Sequence, residues 1–242
     1  MASQHTVRSY EEELRTLEAS ILRMGGLAEG QLSSAIEAVA KRDAELAQRT
    51  VQSDKQIDKI EHEVAEQTTR LLALRQPMAA DLRQVIGALK LAGEIERIGD
   101  YAKNIAKHFL VVNRLPAPQT GTLVQRMGQM VQEMIKDVLD AYSGKRPEQA
   151  IAVWKRDGDV DELYNTQFRA LLTYMLEDSR TITACTHLLF IAKNIERIGD
   201  HATNMAETIH FVLTGKRLEE ERPRGEDAVL IPSPGTSSPS GV

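Results

Sequence analysis

One hexapeptide occurs twice in this chain without change: Ile95-Glu96-Arg97-Ile98-Gly99-Asp100 returns as Ile195-Glu196-Arg197-Ile198-Gly199-Asp200. Each copy of such a duplication must build the same supersecondary unit and cover its apolar face, which leaves few architectures open. The repeat extends well beyond the hexapeptide. Ala102, Asn104 and Ala106 return as Ala202, Asn204 and Ala206, and Arg23-Met24-Gly25 returns as Arg126-Met127-Gly128. Asp54 and Asp58 return as Asp157 and Asp161, with an offset that shortens slightly before the hexapeptide, so a small deletion falls between the second and third helices.

The repeated unit reads as helical. Leu14, Leu17, Ile21, Met24, Ala28, Leu32, Ala35 and Val39 recur at spacings of three and four, one apolar stripe on a helix running to about Lys41. Ser9 and Glu12 have capping-box spacing and predict its start. Asp43 is a cap for a second helix carrying Leu46, Val51, Ile57, Ile60, Val64 and Leu71, which Pro77 breaks. A third helix starts near Ala80 or Asp81 and carries Leu82, Val85, Leu89, Ala92, Ile95, Ile98, Ala102, Ile105 and Phe109. Pro116 and Pro118 then interrupt helix, and the plan starts again. The fourth helix spans Thr122 to Ala141, the fifth runs from Pro147 to about Leu176, and the sixth from Ser179 or Thr181 to a stop at Gly215.

The predicted fold is all-α: two tandem three-helix bundles, six long helices in all. The first bundle covers 1–113, a linker 114–121, the second bundle 122–215, and a disordered tail rich in Glu, Arg, Pro, Ser and Gly takes 216–242. An aromatic content of only 4 % agrees, because the apolar load then falls on residues that pack helices.

A formal charge of −5 and the absence of a polybasic run argue against a nucleic-acid binder. Cys185 is the single cysteine, so neither an internal disulfide nor a thiolate metal cage is available, and its apolar helical setting makes it core packing. No stretch approaches the roughly 20 apolar residues of a membrane span, and the N-terminus lacks a signal-peptide core, so a cytoplasmic protein is expected.

Chemistry concentrates in acidic pairs at i, i+4: Asp54/Asp58 and Glu96/Asp100 in the first copy, Asp157/Asp161 and Glu196/Asp200 in the second. Both carboxylates of a pair share one helical face, where like charges cost a few tenths of a kcal/mol. Four such pairs in register suggest that something positive sits between them. Asn104 and Asn204 extend the third-helix stripes by another turn. If the second and third helices of each bundle lie side by side, four carboxylates and an amide converge. All-oxygen ligation suits magnesium, manganese or iron, with zinc less favoured. His108 and His201 are not duplicated and are peripheral ligands at most. The structural alternative is a solvated face, with Arg97 and Arg197 neutralising nearby carboxylates and Gly99 and Gly199 allowing close helix contact.

The segment Arg75-Gln76-Pro77-Met78-Ala79-Ala80-Asp81-Leu82-Arg83, followed by Glu96-Arg97-Ile98-Gly99-Asp100 and Asn104, resembles the PhoU family, and the likeness runs from the first helix to about residue 215. The second copy lacks the Arg-Gln-Pro stretch and has Met175-Leu176-Glu177-Asp178-Ser179-Arg180 instead. The resemblance implies a negative regulator of the phosphate regulon and of phosphate uptake. Its implied partners are a PstB-type phosphate transporter ATPase and a PhoR-type sensor histidine kinase, with membrane association only through them. It also implies metal clusters held by E/D-x-x-x-D motifs, which map onto the four pairs above. A homodimer is the expected assembly.

Two rivals remain at this level. A ferritin-type di-iron enzyme wants two Glu-x-x-His motifs in one bundle, and only Glu207-x-x-His210 is present. A metal-free helical adaptor would carry the same carboxylates as plain surface. No phosphate loop, nucleophile elbow or H-E-x-x-H motif supports other catalysis.

Overall fold

A computed structural model of the chain describes residues 2–53, 55–116 and 121–218, and among these there is no strand. Asp54 lies outside the described residues, as do 117–120 and all of the expected tail beyond Leu218. The helices are α1 (Ala2–Lys41), α2 (Ala44–Ser53), α3 (Lys55–Arg75), α4 (Ala79–Val112), α5 (Gly121–Gly144), α6 (Pro147–Trp154), α7 (Asp157–Glu177) and α8 (Ile182–Thr214), with a 3-10 turn at Ser179–Thr181. Six long helices are present, but the expected second helix is divided into α2 and α3 and the expected fifth into α6 and α7. Lys155 and Arg156 separate α6 from α7, and Arg156 reaches back to Asp137 at 3.1 Å and Glu133 at 2.9 Å on α5. That pinning to α5 fixes a bend that apolar periodicity alone does not reveal.

Local chemistry accounts for several helix ends. Asp43 caps α2, its Oδ1 accepting the Leu46 amide at 2.9 Å, and Pro147 occupies the first turn of α6. Gly215 closes α8 with φ 73, a left-handed conformation that favours glycine. Ser9 does not cap α1, which starts seven residues earlier at Ala2. Its hydroxyl accepts instead from Arg75 Nη2 at 3.0 Å, while the same guanidinium makes a two-point bond to Glu13. The Arg75 motif thus ties the end of α3 to α1. In the second copy the corresponding corner is built otherwise, with Asp178 accepting the Arg180 amide and Thr181 Oγ1 donating to the Tyr174 carbonyl.

The two copies face each other across an approximate twofold. A Cβ at Gly25 on α1 would run into Leu139 on α5, and one at Gly128 on α5 would lie 2.7 Å from Ile36 on α1, so the duplicated glycines let these helices cross closely. α4 and α8 make the larger seam. Gly87 abuts Val212, Glu94 meets His201 and Asn204, and His108 meets His187, so the two helices run antiparallel. One continuous apolar cluster includes residues of both copies, from Leu17 and Leu32 through Ile98 to Ile195 and Ile209. Each acidic helix is therefore backed by a dry core. α3 packs on α4 and α7 on α8, which sets Asp58 near Glu96 and Asp161 near Glu196.

Candidate metal centre on the duplicated acidic faces

On α4, Glu96 and Asp100 stand one turn apart and both are half-buried, because Ile95, Ile98 and Gly99 beside them are drawn into the core. Asp58 on α3 faces them. Burial lifts the Glu96 carboxyl above its usual range, and the charges of Asp100 and Asp58 add to that rise while Arg97 opposes it. α8 repeats the arrangement. Burial raises Glu196, Lys193 opposes, and the neighbouring Asp200 and Asp161 raise it further. In each copy two carboxylates from the third helix and one from the second thus share a field.

Asp157 is 4 % exposed and accepts from Thr203 Oγ1 at 3.1 Å, deeper in the α7–α8 contact. Asn104 is half-buried a turn beyond Asp100. Asn204 donates to Glu94 Oε2 at 3.2 Å, so its amide takes part in the α4–α8 seam. His201 does the same, 2.6 Å from that carboxylate, and His108 lies 2.9 Å from His187 across the seam. Both histidines are thus engaged in contacts between copies.

Several participants escaped the sequence reading. Lys103 Nζ stands 3.1 Å from Asp100 Oδ1, and Lys193 Nζ stands 2.7 Å from Glu196 Oε1 and over the Tyr164 ring. Each lysine sits three residues from its carboxylate on the same helix, a spacing that a search for basic partners finds. Glu94, central to the seam, has Asn194 as its counterpart and so left no mark in the repeat. Arg97 lies beside Glu96 at 3.5 Å as the structural reading foresaw, but Arg197 covers the Tyr101 ring at 5.7 Å.

The donors are carboxylate oxygens crowded enough to repel one another, and Glu196 Oε2 is buried with no hydrogen-bond partner. This chemistry fits a hard cation. Among the described residues, however, no three His, Cys, Asp or Glu side chains already stand as a cage. The lysine ammonium groups supply the positive charge at these faces. The ferritin-type pair is engaged elsewhere: Glu207 accepts from Trp154 Nε1 at 2.9 Å, and His210 Nδ1 lies 3.1 Å from the Lys216 carbonyl. Cys185 is fully buried, in keeping with core packing.

A pH dependence follows. With Glu96 and Glu196 raised in the fold, the native state holds protons to higher pH than the unfolded chain does. The metal-free protein therefore loses stability as pH climbs from the unfolded glutamate value, about 4.3, through the raised native value. Glu196→Gln removes one contribution. Urea titrations over a pH series in chelator will show a shallower decline for the variant, and a decline as steep as the parent's would contradict the raised Glu196 carboxyl.

The chain matches the PhoU domain model twice, over residues 21–109 and 124–209. It is 53 % identical over 223 residues to a phosphate-specific transport system accessory protein PhoU homolog of Caulobacter vibrioides, spanning 92 % of this chain and 97 % of that protein. A homolog of the same description from Zymomonas mobilis is 48 % identical, spanning 96 % and 97 %. Among solved structures, PhoU from Pseudomonas aeruginosa superposes with a TM-score of 0.83 at 36 % identity, covering 86 % of this chain and 100 % of that one. The phosphate transport system regulatory protein PhoU from Streptococcus pneumoniae gives 0.80 at 28 % identity, covering 87 % and 100 %.

Proposed function

The chain belongs to the PhoU family, and from that premise we propose that it is an accessory protein of a phosphate-specific transport system. The observation that carries this reading is the match over nearly the full length of both chains to relatives so described. Within that role it acts as a negative regulator of the phosphate regulon and of phosphate uptake, an adaptor between the transporter ATPase and the sensor histidine kinase. It works as a binding protein rather than an enzyme, in the cytoplasm and as a homodimer. No helix among the described residues is long and apolar enough to cross a membrane, so contact with a membrane transporter would run through its cytoplasmic partner.

The acidic faces supply the second half of the proposal. Asp58, Glu96 and Asp100 in one copy and Asp161, Glu196 and Asp200 in the other would hold cations of the magnesium, manganese or iron type, with Asp54, Asp157, Asn104 and Asn204 available as further donors. A bound cation supplies positive charge where these carboxylates repel one another. The residues themselves orient the oxygens, and the apolar core behind them keeps water from one side. Filled faces would then hold α3 against α4 and α7 against α8, and present a fixed surface to a partner.

Deleting the gene tests the regulatory reading. In phosphate-rich medium the deletion strain will switch on a phosphate-starvation reporter such as alkaline phosphatase, and a plasmid copy will switch it off again. A reporter that stays silent in a strain with no second copy would overturn the regulatory role.

A further inference from the structure

The two ends of the α4–α8 seam derive from the same duplicated sequence, yet they are lined differently. At one end His108, His187 and Phe190 fill the space between the helices. The two imidazoles are 2.9 Å apart, and the His108 ring stacks on Phe190 at a centroid distance of 5.0 Å. The residues that repeat these three are Thr208, Gly87 and Lys90. Two large rings are thus replaced by small residues and a third by a cation. A cavity of about 360 Å³ results, lined by Arg83, Ile86, Gly87 and Lys90 of α4, Thr208 and Phe211 of α8, and the chain beyond it. That volume falls within the range of small-molecule sites.

The cavity is basic. Arg83, Gly87 and Lys90 lie at i, i+4 and i+7, one stripe of α4, and Arg217 joins them from beyond the α8 C-terminus. None of the three cations is ion-paired to a described residue. Arg83 Nε is buried without a hydrogen-bond acceptor, a costly state for a charged donor, and the side chain it belongs to lines the cavity. Glu207 also lines the cavity, but one of its oxygens already accepts from Trp154. Thr208 adds a hydroxyl, and Ile86, Phe211 and Leu218 add apolar wall. Thr183 stands where the closed end repeats Arg83, so that end has lost the cations together with the space.

We propose that this cavity binds the phosphoryl group of a small ligand, free phosphate or a phosphate monoester, through Arg83, Lys90 and Arg217. A planar guanidinium with two further cations and a hydroxyl matches a tetrahedral dianion, and the apolar wall can cover an organic substituent. The site is separate from the acidic faces and independent of the regulatory reading.

Calorimetric titration of the full chain at low ionic strength, with inorganic phosphate and separately with adenosine monophosphate, tests it. Glu219, Glu220 and Glu221 follow Leu218 in sequence, so the full chain is the relevant species. Binding of either probe is expected, weakened about tenfold by Arg83→Gln and at least as much by Lys90→Glu, the loss of a charged hydrogen bond. Phosphate binding as tightly as the monoester would identify the free anion, and tighter monoester binding an organic phosphate. Lys90 is exposed, so its variant keeps the test valid if Arg83→Gln fails to fold. No binding of either probe, or binding unchanged in Lys90→Glu, would overturn the proposal.

Discussion

Truncating Trp154 to alanine will cost about 3–5 kcal/mol of stability, the usual loss when a buried tryptophan is removed. Trp154 ends α6, is 2 % exposed, and packs where α6 lies on α8. α6 has only eight residues, too short to persist without tertiary packing. Losing its anchor should therefore loosen α6 as well as open a cavity. The ring also donates Nε1 to Glu207 Oε1 at 2.9 Å. Trp154→Phe separates the two contributions, since it keeps most of the apolar bulk and forfeits a partly exposed hydrogen bond, about 1 kcal/mol. Urea denaturation followed by far-ultraviolet circular dichroism gives both values. Trp154 is the sole tryptophan, so its emission reports unfolding of the parent but not of the variants. A loss under about 1 kcal/mol for the alanine variant would mean that α6 is not held by this contact.

The second large effect concerns metal. If the proposed cation sites are filled, replacing Glu96, Asp100, Glu196 and Asp200 together by Gln and Asn will abolish bound divalent or trivalent metal in purified protein, while replacing either pair alone will roughly halve it. These isosteric changes remove charge and keep shape, so they relieve the burial of charge, and with it the mutual repulsion, that raises Glu96 and Glu196. The metal-free quadruple variant should consequently be at least as stable as the metal-free parent near neutral pH. Loss of metal with gain of apo stability is the signature of a ligand site, because removing core or seam contacts lowers both. Elemental analysis and thermal melts in chelator give the two readouts. Metal content unchanged in the quadruple variant would remove these four residues from the proposal. If the metal-bound faces are what partners read, the same variant will release the phosphate-starvation reporter in phosphate-rich medium.

Much of the fold was legible because it rests on periodicity and punctuation. The apolar stripes from Leu14 to Val39 and from Val85 to Phe109, the Asp43 cap, Pro147 and the Gly215 stop all act through neighbours within a turn or two. The duplication made the acidic pairs visible, since four pairs in register are not noise. Ser9 shows the limit of that reasoning. Its spacing to Glu12 satisfies a local rule, but a distant partner, Arg75, takes the hydroxyl and the helix continues past it. The break at Lys155–Arg156 has the same origin, because Asp137 and Glu133, which hold it, lie on another helix.

By itself the sequence determined a duplicated all-helical unit and the acidic face on each third helix, because both follow from residues three and four apart. Only the tertiary structure decided what those faces meet. It set the antiparallel α4–α8 seam, the Glu94 link to His201 and Asn204, and the lysines that balance the carboxylates. It also made one seam end a packed histidine cluster and the other a basic cavity. Such pairings join residues far apart in the chain, and their geometry depends on how closely two helices approach, which no local spacing records.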